Sequence, residues 1–256
     1  MIKVENLTKV IKKKVILNKL NLVFEDNKTY GILGNNGAGK TTFIKTLFNE
    51  YKVNAGNITF NNNKLSKDDY KKMYFFTENN ELPIDLKVNE YINYLFGISD
   101  SQKKIDDYIK KLEWLFDYNK YKNILIKKIS AGEKKKLTLF IMLILDPEII
   151  FFDEPTANLD EVNKIILFKT IELLKQQNKT LIIISHLIEE IKPFLDHIII
   201  FKDGEIVYNK SLSKNDDVKE IYHQYLFENK TNENNKNNVL IDEIDSKMKG
   251  FFSDEN

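Results

Sequence analysis

The sequence predicts an α/β fold with a mostly parallel core sheet, and three stretches predict it. Gly34-Asn35-Asn36-Gly37-Ala38-Gly39-Lys40-Thr41 matches G-x-x-x-x-G-K-[ST] between a strand-like run, Lys28–Leu33, and a helix-like run, Thr42–Phe48. Ile149-Ile150-Phe151-Phe152 is an apolar run that ends in Asp153-Glu154-Pro155. Leu181-Ile182-Ile183-Ile184 is another, ending in Ser185-His186. Short apolar runs separated by helical patterns suit strands covered on both faces.

The other elements follow in chain order. Ile2–Leu7, Val15–Leu17 and Leu20–Phe24 read as a small antiparallel sheet ahead of the glycine loop. Asn57–Phe60 with Asn61-Asn62-Asn63 is a strand and turn, and Met73–Thr77 is a strand ending in polar Glu78-Asn79-Asn80. From Val88 to Tyr121 the pattern turns helical. Ser101 is a candidate N-cap there, and Ile105, Ile109, Leu112, Leu115 and Phe116 form an apolar face. Tyr108 and Trp114 read as packing residues. Ser130 opens another helix, whose lysine run Lys134-Lys135-Lys136 is expected to be a solvated face and which ends at Asp146-Pro147. Glu148–Phe152 is a strand, Glu161–Gln177 a helix, Thr180–Ile184 a strand and Leu187–Lys192 a short helix. His197–Phe201 and Ile206–Tyr208 form a hairpin about Lys202–Glu205. Residues 228–238 are polar and Asn-rich, expected to be a mobile linker. Ile241, Ile244, Met248, Phe251 and Phe252 suggest an amphipathic tail with no assigned function.

Composition narrows the function. A chain of 256 residues with 42% hydrophobic content supports one large α/β domain or two small ones. A net charge of +1 gives no global basic field, so no nucleic-acid partner is expected. The absence of cysteine removes disulfides, thiolate metal sites and Cys nucleophiles, and an intracellular setting is expected. No signal-peptide core is seen at the start, and the longest apolar run, Leu139–Leu145, is far short of a membrane span. A soluble chain that can dock on a membrane partner is expected. Every basic residue is lysine, which fits the codon bias of an AT-rich genome; chemically, no arginine finger can come from this chain or a copy of it.

The glycine loop suits a phosphate chain. Glycines let backbone N–H groups curl around the anion, and the helix N-terminus adds positive partial charge. Lys40 would reach β- and γ-phosphates and the Thr41 hydroxyl would bind Mg²⁺. Asp153, emerging from a buried strand, supplies the metal carboxylate, and Glu154 beside it can orient a water and take its proton. A surface acid pair or a helix cap is the bland alternative. His186 could hydrogen-bond a γ-phosphate oxygen from a neighbouring strand end, although a lone histidine there is more often structural.

In this order the motifs resemble the nucleotide-binding domain of an ATP-binding-cassette (ABC) ATPase, over roughly Ile2 to Tyr208. The series is the loop at 34–41, Phe75-Phe76-Thr77-Glu78, Ile129-Ser130-Ala131-Gly132-Glu133, Phe151–Thr156, Ala157-Asn158-Leu159-Asp160 and Ile184-Ser185-His186. The resemblance implies a P-loop NTPase of ABC type with an N-terminal antiparallel β-subdomain and an inserted helical subdomain at about 88–145. It implies ATP and Mg²⁺ as cofactors, with Gly34 through Thr42 on the phosphates and Thr41, Glu78 and Asp153 on the metal. Ser130, Ala131, Gly132 and Glu133 look like the signature segment, which in this family caps the γ-phosphate held by the opposite subunit. Asn158-Leu159-Asp160 looks like the dimer-contact loop. Aligning Leu7–Ile11 with the family puts Ile11 where an aromatic residue usually stacks on adenine.

Three departures stand out. Ile129 and Ala131 replace the usual leucine and first glycine of the signature, and Glu133 replaces a common glutamine. Glu78 stands in place of the usual glutamine and cannot donate hydrogen bonds when ionised. Ile11 keeps apolar packing but loses the π-stack.

The implied function is ATP hydrolysis at a dimer interface, with Glu154 and His186 catalytic, driving a separate transmembrane permease. The partners are that permease and a second ATPase subunit, a homodimer being favoured over a heterodimer. The chain would sit on the cytoplasmic face of the cell membrane. Residues 1–227 would be the ATPase domain and 228–256 a polar linker and tail. The short insertion between Glu78 and Ser130 and the overall size resemble two-component bacterial exporters of peptides, antibiotics or lipids. Two alternatives stay open: a soluble ABC ATPase acting on ribosomes or DNA, and a regulatory module that binds nucleotide without hydrolysis.

Overall fold

The glycine loop joins the third strand to the first helix, and two sheets meet around it. The structure is a computed structural model that describes residues 1–77, 82–98, 105–157, 159–213 and 215–227. Among these, the strands are β1 (Ile2–Ile11), β2 (Lys14–Phe24), β3 (Thr29–Gly34), β4 (Ala55–Phe60), β5 (Asn63–Lys64), β6 (Met73–Phe76), β7 (Ile149–Asp153), β8 (Thr180–Ile184), β9 (His197–Lys202) and β10 (Glu205–Ser211). They form a four-stranded antiparallel sheet, β2-β1-β4-β5, and a six-stranded sheet, β10-β9-β3-β8-β7-β6. The second is parallel except for the β9–β10 hairpin. This is the mostly parallel core with an antiparallel N-terminal sheet that the sequence predicts.

The N-terminal strands are longer than their apolar runs. The runs Val15–Leu17 and Leu20–Phe24 belong to one strand, interrupted by Lys19 with φ 48° and by register shifts against β1. Such irregularities bend a strand without ending it, so alternation breaks in the sequence while pairing continues. β1 turns into β2 through Lys12 and Lys13, with φ of 46° and 67°. A two-residue hairpin loop needs left-handed backbone at its centre, usually supplied by Asn-Gly; lysines there carry no turn signal. At the β9–β10 turn the signal is present: Asp203-Gly204, with φ of 50° and 81°.

The helices are α1 (Lys40–Leu47), α2 (Lys67–Lys71), α3 (Val88–Ile98), α4 (Asp106–Ile109), α5 (Tyr118–Tyr121), α6 (Ala131–Leu145), α7 (Glu161–Gln176) and α8 (Ile188–Ile191). Short α2 carries a capping box between Ser66 and Asp69. α6 begins at N-cap Ser130 and ends at Asp146 in the left-handed conformation before Pro147. Ser101 and Asn158 fall outside the described residues.

The core lies between the two sheets and α1. Phe24, Tyr30, Phe43, Phe151 and Phe201 are buried there, with the Phe24 and Tyr30 rings edge to face at 5.0 Å. Each such ring contributes about 1.5–3 kcal/mol by leaving water. The lysine run of α6 corrects one expectation. Lys135 is 4% exposed, with Nζ 4.3 Å from the Phe76 ring centre, so this lysine points inward onto an aromatic face. The chain divides into two compact units, Met1–Asp216 and Asp217 onward. The described part of the second is α9 (Val218–Phe227), whose first turn is capped by Asp217 accepting from the Glu220 amide at 3.1 Å.

Candidate active site

Strand register gathers the charged residues. β3, β8 and β7 lie side by side, with Ile32 opposite Ile184 and Ile184 opposite Asp153. The glycine loop after β3, the residues after β8 and Asp153 at the end of β7 therefore share the C-terminal edge of a parallel sheet, where ligands of open α/β folds sit. Glu154 N–H donates to Ile184 O at 3.0 Å, extending the ladder by one residue. Its φ is 47°, a left-handed backbone for a residue with a Cβ, which costs roughly 1–2 kcal/mol. That turn aims the carboxylate at the end of β8. Glu154 Oε2 lies 2.8 Å from His186 Nδ1 and accepts from the His186 amide at 3.3 Å.

The loop closes on its own lysine. Gly37 and Gly39 have φ of 81° and 104°, and Gly39 is the N-cap of α1, without a side chain to cover the first-turn amides. Lys40 is buried, and its ammonium donates to Gly34 O at 2.6 Å and Asn35 O at 3.1 Å. Burial lowers the Lys40 pKa, while Glu154 and Asp153 pull the other way. Thr41 Oγ1 donates to Asp153 Oδ2 at 3.1 Å. A hydroxyl beside a carboxylate at the mouth of a phosphate loop fits Mg²⁺, which takes few protein ligands and fills its shell with waters and phosphate oxygens. No cluster of three or more His, Asp or Glu suited to a metal occurs among the described residues, so phosphate oxygens would have to complete the site.

A cavity of about 570 Å³ opens along this edge. Asn36, Gly37, Gly39, Lys40, Thr41 and Thr42 line its phosphate end, with Asp153 and Glu154 beside them. Ala38 is buried beneath, giving its carbonyl to the Gly204 amide at 3.1 Å. At the antiparallel sheet the lining residues are Lys14 and Ile16. Ile11 sits across the hairpin turn from Lys14 and is not among the lining residues. Ser130, Ala131, Gly132 and Glu133 lie outside the cavity as well. They open α6, where Ser130 Oγ accepts from the Glu133 amide at 3.2 Å and Glu133 pairs with Lys136 at 3.1 Å. Gly132 faces α7, a Cβ there meeting Asn163 Nδ2 at 3.2 Å. Glu78 lies outside the described residues.

Lys14, Ile16 and Lys45 also line the cavity and carry no motif in the sequence; Phe75 and Thr77, within a recognised motif, line it without having been assigned a site role. Thr77 carried a usable signal, since it follows a parallel strand end. Lys14 and Ile16 carried only alternation, two residues apart on one strand face, without a turn signal to fix where that strand begins.

Known proteins match this arrangement. Residues 17–157 match the family model described as ABC transporter. The lantibiotic transport ATP-binding protein SrtF of Streptococcus pyogenes is 31% identical over 234 residues, covering 89% of this chain and 99% of that protein. The energy-coupling factor transporter ATP-binding protein EcfA1 of Mesomycoplasma hyopneumoniae is 34% identical over 202 residues, covering 76% of this chain and 74% of that protein. The solved dimeric structure of MJ0796, a bacterial ABC transporter cassette, superposes with a TM-score of 0.71 at 23% identity, covering 83% of this chain and 99% of that one.

Proposed function

The chain belongs to the ABC transporter family as an ATP-binding, ATP-hydrolysing subunit, and from that premise we propose that it powers export through a separate membrane permease. The observation that carries the ATPase chemistry is the contact chain Thr41–Asp153 and Glu154–His186 at the mouth of the glycine loop. Lys40 moves its ammonium from the loop carbonyls to the β- and γ-phosphates. Thr41 and Asp153, with Glu78 as the family resemblance assigns it, would hold Mg²⁺, which when bound would offset charge on the phosphate oxygens. Glu154 orients a water and accepts its proton as the oxygen attacks the γ-phosphorus, and the bond to the bridging oxygen breaks to leave ADP and phosphate. His186 keeps the Glu154 carboxylate in place through Nδ1 and its backbone amide, and with both ring nitrogens protonated it would also donate from Nε2 to a γ-oxygen. Without arginine, the transition-state charge falls to Lys40, His186, the metal and the amides at the start of α1.

The closing wall of the site is the Ser130 segment of a second copy, with exposed Ser130 and the first amides of α6 turned to the γ-phosphate. The fold-mate solved as a dimer supports that assembly. No helix among the described residues is long and apolar enough to cross a membrane. In this reading a permease supplies the transmembrane path and this chain docks at the cytoplasmic face. Ile84 and Leu86, just before the helical block, and Tyr94, Ile98 and Trp114 within it are exposed large apolar residues that suit a permease contact. SrtF, a lantibiotic transport protein matched over nearly its full length, supports a peptide-like cargo and hence export; the energy-coupling factor transporter protein is matched over less of its length. Membrane fractionation of the native cells tests the docking. The wild-type chain should sediment with membranes, and Tyr94→Ser with Trp114→Ser should release an active ATPase. A double variant that stays on the membrane contradicts this face. Sensitivity of cells lacking the chain to an added antimicrobial peptide supports export; loss of nutrient uptake instead contradicts it.

A further inference from the structure

We infer that Lys14 is a base-specificity residue of the nucleotide cavity and that it makes the site accept GTP at least as tightly as ATP. The inference rests on the nucleotide reading of that cavity and concerns its far end.

The phosphate end is fixed by the glycine loop and Lys40, so the nucleoside must extend to the remaining lining, which at the antiparallel sheet is Lys14 and Ile16. The backbone, not a mobile loop, sets the position of that end. A Cβ on Gly39 would meet Ile16 O at 3.1 Å, and one on Gly204 would meet it at 2.3 Å. Gly204 N–H donates to Ala38 O at 3.1 Å, and Asn18 N–H donates to Gly204 O at 2.9 Å. The β9–β10 turn thus bridges the glycine loop to β2, holding the strand of Lys14 and Ile16 against the loop. Lys14 and Ile16 are two residues apart, so both side chains stand on the cavity side of β2.

The chemistry at this end is one-sided. Phe75 is the aromatic residue in the described lining. It belongs to β6, paired opposite Phe151 of β7, and stacks on Phe48 at 5.3 Å, on the Asp153 side of the cavity. A base resting on β2 therefore meets an aliphatic face, Ile16, and an ammonium, Lys14. Lysine offers three donors and no acceptor. Guanine presents two acceptors on one edge, O6 and N7, and lysine reads that pair; adenine replaces O6 with an amino donor that lysine cannot satisfy. Lys45 also lines the cavity, but it is on α1 and lies 3.5 Å from Glu50.

Calorimetric titration of the purified chain with ATP and with GTP, in the presence of Mg²⁺, tests this, alongside Lys14→Ala and Lys14→Arg. Lys14 is exposed at a strand end, so neither substitution threatens the core. Wild type should bind GTP with a Kd equal to or below that for ATP. Lys14→Ala should weaken GTP about tenfold and ATP less than about threefold, while Lys14→Arg keeps the wild-type ratio. Equal losses for the two nucleotides would mean that Lys14 serves the phosphates, and no loss would mean that it serves neither; each overturns the inference and leaves the ATPase reading standing. A wild-type chain that binds neither nucleotide overturns both.

Discussion

At the end of β7 the charged residues touch one another. Thr41 reaches Asp153, Glu154 reaches His186, and Lys40 is buried under the carbonyls of its own loop. At the start of α6, Ser130 and Glu133 make their hydrogen bonds within the helix. Ser130 caps the Glu133 amide, Glu133 pairs with Lys136, and Ser130 and Ala131 are exposed. Both places are anion sites in chemical outline, each a helix N-terminus with small residues. The first is completed by strand ends of the same chain. The second lies outside the cavity that its own chain supplies. The difference fits the proposal that one chain builds the chemistry and a second copy supplies the covering wall.

Substitutions can break or sharpen that contrast. The largest effect belongs to Glu154→Gln, which keeps the shape and removes the base. Turnover should fall by about 10²–10⁴ while ATP binding persists, measured by phosphate release and by titration. Turnover near the wild-type rate would remove Glu154 from the mechanism. Next is Gly34→Ala, a change in the floor of the first region. Its φ is 148° and a Cβ would lie 2.3 Å from Phe201 O, so thermal unfolding should show a loss of about 2 kcal/mol or more and ATP affinity should drop with it. Ser130→Ala belongs to the second region. It should cost about 1 kcal/mol as a lost cap, lower turnover, and leave the ATP affinity of dilute monomer unchanged. An equal fall in monomer affinity would place Ser130 in its own chain's site. The smallest effect is Asp160→Ala, which removes the cap on the Asn163 amide and should cost about 1 kcal/mol in denaturant melts without altering nucleotide binding.

The cluster of strand ends at the glycine loop was legible because its signals are local. A glycine loop between strand and helix, an acid pair after four apolar residues, and a histidine after another apolar run each announce a strand end, and parallel register brings those ends together. The end of the cavity at the antiparallel sheet was not legible. Ile11 falls outside its lining, and the Lys12-Lys13 turn, invisible without glycine or asparagine, places Lys14 and Ile16 along it. Lys135 shows the same limit for packing. A lysine run reads as a solvated face, and only the tertiary approach of β6 to α6 turns one of its members onto Phe76. The capping box at Ser66 and Asp69 was readable as S-x-x-D, yet the helix it opens is too short to show a period.

The central claim is that two copies of this chain complete one another's sites. Mass measurement by light scattering on Glu154→Gln with Mg²⁺ and ATP tests it most directly. The account predicts a particle of twice the 30.2 kDa chain mass that reverts to monomer when Ser130→Phe is added. Glu154→Gln that holds ATP and stays at 30.2 kDa would contradict it.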